Sequence, residues 1–216
     1  EKEIHEKRLF DCSVHVEHRG KAVFSAEYGQ AKKDSIYRIF SMTKPITTVA
    51  AMILFERGLI DFYDPLYEYL PAFKNMQIAL TNTKGNETLQ KAKKPILLRD
   101  LLNMTSGIVY PGEACLADRS MRDVQKSLEK ESAKGKNFSN VEVCSRLAES
   151  YLQFEPGEGW RYGASADVLG GVIEVVAGMT FGTFLKKEIF EPLEMNETSF
   201  TLSFEDEKRL LPFYSR

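Results

Sequence analysis

The run Ser41-Met42-Thr43-Lys44-Pro45 opens a stretch in which apolar residues recur at helical spacing and which ends at Gly58. It constrains the fold more than any other segment. Proline is tolerated in the first turn of a helix, where its missing N–H has no intrahelical partner, and glycine ends helices. The pattern therefore predicts a helix over residues 41–57, with Ile46, Val49, Ala50, Ile53 and Leu54 on its inward face. Ser41 then lies at or beside the helix N-terminus, where free amides and the positive end of the helix favour negative charge. The i,i+3 spacing brings the Ser41 hydroxyl and the Lys44 amine to one face, a turn apart. A serine hydroxyl is a weak nucleophile until a neighbouring base takes its proton, so the pair is a candidate catalytic unit.

Upstream, Val14-His15-Val16-Glu17-His18 and Ala22-Val23-Phe24-Ser25-Ala26 flank Arg19-Gly20-Lys21 and read as an antiparallel hairpin, with His15 and His18 on strand faces. Downstream, Met76-Gln77-Ile78-Ala79-Leu80 reads as a strand before a polar turn at residues 81–87. Short or amphipathic helices follow at residues 96–103, 120–136 and 139–152, with Val143, Leu147 and Leu152 inward. Pro156-Gly157-Glu158-Gly159-Trp160 is a turn leading to Tyr162. Val168, Leu169, Val172, Ile173 and Val176 then predict a buried helix ending at Gly178, with another helix over residues 180–189. Ser106 and Gly107 read as a structural turn, Ser165 as a helix cap and Trp160 as a packing residue. No repeat or linker divides the 216 residues, which are expected to form a single domain (residues 1–216) with a mainly helical lobe over residues 60–160.

Charge narrows the function. A net charge of -2, with lysines interspersed among acids, argues against a nucleic-acid binder. No apolar stretch approaches bilayer length, so no transmembrane segment is expected, and a cytoplasmic location is assigned. Three dispersed cysteines, Cys12, Cys115 and Cys144, indicate neither a disulfide framework nor a zinc site, and no metal or organic cofactor is implied.

Ser41-Met42-Thr43-Lys44 with its helix, Leu101-Leu102-Asn103-Met104-Thr105-Ser106-Gly107, Pro156-Gly157-Glu158 before Tyr162, Asp167-Val168-Leu169-Gly170, and Ile189-Phe190-Glu191-Pro192-Leu193 occur in one order. Together they resemble the serine beta-lactamase-like superfamily, and its branch of class C beta-lactamases, D-alanyl-D-alanine carboxypeptidases and serine carboxylesterases in particular. The resemblance implies an α+β fold of the beta-lactamase/transpeptidase type, an antiparallel sheet flanked by helices plus a helical lobe. It also implies a covalent acyl-enzyme on Ser41, with Lys44 assisting deprotonation and Tyr162 shuttling the proton to the leaving group. The oxyanion would be held by the Ser41 N–H and a second backbone N–H from a strand. Where the lactamases and carboxypeptidases carry Tyr-x-Asn, this chain has Ala164, which cannot bind a substrate amide. That departure favours small acyl esters, with a lactamase or carboxypeptidase as the alternative. The family's later Lys/His-Thr/Ser-Gly motif has no counterpart after Tyr162. A sheet completed by residues beyond Arg216 or by a partner chain is therefore expected, and a non-catalytic member or incomplete fragment is the third reading. The expected partner is a small-molecule ester or amide substrate.

Overall fold

The computed structural model describes residues 2–6, 8–81 and 85–214. Contacts divide the chain into two compact units, one built from the residues up to Met42 and those from Ser199 onward, the other from Thr43–Thr198.

The first unit holds a short helix α1 (Lys2–His5) and the expected hairpin, β1 (Cys12–His18) against β2 (Lys21–Tyr28). The pairing is antiparallel, from Cys12 opposite Tyr28 to His18 opposite Lys21, with a bulge between Val16 and Glu17. Its two-residue loop, Arg19-Gly20, has both residues at positive φ (51° and 72°), the mirror-image turn whose twist matches paired strands. The last residues add one parallel bridge, Ile36 to Leu210, and a stacked ring pair, Phe10 on Tyr214 with centroids 4.2 Å apart.

In the second unit, α2 (Thr43–Glu56) begins two residues later than the spacing predicts, because Phe40–Met42 forms a separate 3-10 turn. Thr47, Ala50, Ala51 and Leu54 face the core at i, i+3, i+4 and i+7. Ile46 and Ile53 pack at its margin, whereas Val49, expected inward, is 49% exposed. The small alanines carry the buried stripe and let the neighbouring helix approach closely. Gly58, at φ +69°, ends the helix as expected.

Strands β3 (Gln77–Thr81) and β4 (Glu87–Lys91) form a second antiparallel pair, where a strand was expected before the polar turn. Residues 82–84 of the intervening turn lie outside the described residues. Helix α3 (Leu98–Leu102) is shorter than the predicted segment, and α4 (Leu116–Ser132) starts earlier than expected. Helix α5 (Asn140–Leu147) begins at the Ser139 capping box but stops before Leu152. Leu152 instead bridges Ile78: the Leu152 N–H donates to the Gln77 carbonyl, and the Leu152 carbonyl accepts from Ala79. This extended pairing satisfies backbone groups that a longer helix would have bonded internally.

Helix α6 (Ser165–Ala177) is the centre of the unit, in contact with α2, α3, α5 and α7 (Phe181–Leu185). Val168, Leu169, Val172 and Ile173 are fully buried, as their periodicity requires, and Gly178 at φ +63° caps the end. A five-residue π-helical turn, Lys186–Phe190, continues α7. At Gly171 an added Cβ would lie 2.6 Å from the Cys144 sulfur, so glycine is what allows α5 to rest on α6.

Candidate active site

Lys44 stands in the first turn of α2, held by the apolar face that buries that helix. Its amine donates to the Tyr110 hydroxyl at 2.9 Å, and the Tyr162 hydroxyl is a second hydrogen-bond partner. The amine also lies 4.8 Å from the centre of the Tyr162 ring and 5.5 Å from that of Tyr110, and the two rings meet edge to face at 5.7 Å. The Tyr110 hydroxyl in turn donates to Asp167 Oδ2 at 3.5 Å, from the first turn of α6.

Three groups of contacts hold these side chains. The Ser106 and Ser165 hydroxyls, both buried, bond each other at 2.9 Å, and Ser106 Oγ accepts from the Ile108 N–H. The helix cap expected at Ser165 is thus replaced by a tie between the Tyr110 segment and α6. Gly163 lies against the Ile108 carbonyl and Val109 so closely that a Cβ would come within 2.1 Å of that oxygen. Arg161 donates its backbone N–H to the Met104 carbonyl and its guanidinium to both oxygens of buried Asp118, at 3.1 and 3.2 Å. Tyr110 and Tyr162 are therefore displayed by two segments locked backbone to backbone.

The charge states follow from this packing. Burial works against the Lys44 cation, but the two tyrosines outweigh it and hold its pKa above the usual 10.5. Burial is the main cause that raises Tyr110 above the usual phenol value, offset by the Lys44 bond. Burial likewise raises Asp167, while the Lys44 charge and the Tyr110 hydroxyl pull it back. Asp167 is nevertheless exposed to solvent.

Of the three residues predicted for catalysis, the structure brings Lys44 and Tyr162 together. Ser41 occupies the 3-10 turn Phe40–Met42, directly ahead of α2 in the chain, and is exposed. Trp160, expected to pack, is 67% exposed, and Tyr162 is 41% exposed rather than a core aromatic. Tyr110 was missed: it follows the Ser106-Gly107 turn, but no spacing marks a tyrosine 66 residues from Lys44 as its partner. Asp167 lay inside a recognised motif without a role. Among the described residues no group of three or more His, Cys, Asp or Glu side chains could hold a metal ion, and no single helix is long and apolar enough to cross a membrane.

Known proteins are similar to this chain. Acyltransferase calJ of Penicillium decumbens is 33% identical over 171 residues, 77% of this chain and 38% of its own length. Esterase EstB of Burkholderia gladioli is 28% identical over 222 aligned positions, 98% of this chain and 52% of its own. Among solved structures, EstCE1, a hydrolase with promiscuous acyltransferase activity, matches with a TM-score of 0.73 at 24% identity, over 97% of this chain and 52% of that one. The chain thus spans about half the length, or less, of these relatives. The Beta-lactamase family model matches residues 2–215, and the chain belongs to that family.

Proposed function

We propose that this chain supplies the nucleophile and proton-handling groups of a serine hydrolase acting on small acyl esters. The observation that carries the reading is the Lys44–Tyr110–Tyr162 cluster, three titratable groups in mutual contact, with Lys44 three residues after Ser41. In this mechanism Ser41 Oγ attacks the ester carbonyl, and its proton passes to the cluster. The tetrahedral intermediate collapses with cleavage of the bond to the alkoxide, which takes a proton from the cluster as it leaves. Water, or a second alcohol, then attacks the acyl-serine carbonyl and regenerates Ser41. The positive end of the α2 dipole is suited to a developing negative charge.

Ala164 at the position of the amide-binding asparagine supports esters over lactams and peptides, as do the relatives named an esterase and an acyltransferase. The test is intact-mass analysis after exposure to an activated phosphonate. One adduct on the wild-type chain and none on Ser41→Ala is the expected result. Equal labelling of both, or none on a folded chain, overturns the assignment.

A further inference from the structure

The proton-handling cluster has a fourth member. Lys44 donates to the Tyr110 oxygen at 2.9 Å, and the Tyr110 O–H donates onward to Asp167 Oδ2 at 3.5 Å. Every donor in this chain points the same way, from cation to phenol to carboxylate. A phenol has one proton. Committed to Asp167, it leaves the oxygen lone pairs to accept from Lys44, so the carboxylate determines which way the tyrosine presents itself. We propose that Asp167 is a positioning residue that acts through Tyr110 to orient the Lys44 amine and hold its proton, keeping the cation in place as the acid for the leaving group. The proposal rests on the acyl-transfer reading for its purpose, but not for its test.

The surroundings support it. Facing Asp167 are Lys44 from α2, Tyr110 from the segment after α3, and Cys144 from α5, whose thiol approaches the Asp167 backbone carbonyl at 3.7 Å. That thiol is buried and its pKa is pushed up to about 12, so it stays neutral and Lys44 is the cation that Asp167 meets. Facing Lys44 are the Tyr110 and Tyr162 hydroxyls, both hydrogen-bond partners of its amine. The pull of Lys44 on Asp167 has the sign this link requires. Asp167 lies in the first turn of α6, whose next turn is anchored in the core, so the carboxylate is carried on a fixed element.

The experiment titrates Lys44 directly, from its side-chain carbon shift in lysine-labelled 216-residue chain, with the resonance assigned by Lys44→Arg. It is done in a Ser41→Ala background, where no turnover is needed, so a failed acyl-enzyme assignment leaves the result readable. Asp167→Asn is expected to lower the Lys44 midpoint by about one pH unit, the scale of one nearby opposite charge. Tyr110→Phe is expected to lower it too, and Asp167→Asn is expected to add little once Tyr110 is gone. Asp167→Glu, which keeps the charge, is expected to restore most of the midpoint. An unchanged midpoint in Asp167→Asn, a full effect persisting without Tyr110, or a Glu variant as shifted as Asn each overturns the proposal. Thermal melts of the same variants report folding separately.

Discussion

At Lys44 the sign of the electrostatics differs from the simplest picture of a lysine base. A depressed pKa would give a neutral amine at pH 7, whereas the tyrosine contacts raise it, so Lys44 and Tyr110 both rest protonated. The fraction able to accept the Ser41 proton then grows as pH rises toward those raised values. For the proposed esterase, kcat/KM is expected to increase tenfold per pH unit through the alkaline range, without a plateau near neutrality. A flat profile from pH 7 upward would show that a different group serves as base. Ser41, Lys44 and Tyr162 were legible as candidates because each falls in a short ordered motif. Tyr110 and Asp167 were not, since their role exists only where three distant segments converge.

The elements that display the two tyrosines depend on a backbone contact that tolerates no side chain. Gly163→Ala would drive a Cβ to 2.1 Å from the Ile108 carbonyl and 2.9 Å from the Val109 Cα, and neither is the end of a flexible side chain. We expect a loss of about 3 kcal/mol of stability, measured by chemical denaturation, together with a weakened Tyr110–Tyr162 ring contact. A variant as stable as wild type would mean the two segments separate at little cost. Periodicity placed α2 and α6 to within a few residues, and glycine marked their ends. It overextended α5, because Leu152 continues the apolar period of that helix while its backbone pairs with β3. Helix and buried strand compete for such a residue, and the neighbour decides.

Across the larger unit, the Asp118–Arg161 pair joins α4 to the segment carrying Tyr162. Asp118 is only 3% exposed in its side chain and Arg161 is 38% exposed, so the carboxylate has far more to lose from an absent partner. Asp118→Ala is expected to cost about 2 kcal/mol and to lower Tm by ~5 °C, at the modest end for buried pairs because the guanidinium can return to water. An unchanged melting temperature would mark the pair as energetically neutral. The family, the two hairpins, the central apolar helix and the Ser41/Lys44 spacing were decided by the sequence, because each rests on residues close together in the chain. Which face of α2 is buried, where α5 ends, that Trp160 is bare to solvent, and that Tyr110 and Asp167 complete the Lys44 cluster were decided only by tertiary packing. Those outcomes depend on contacts between residues tens of positions apart, whose energies no local pattern records.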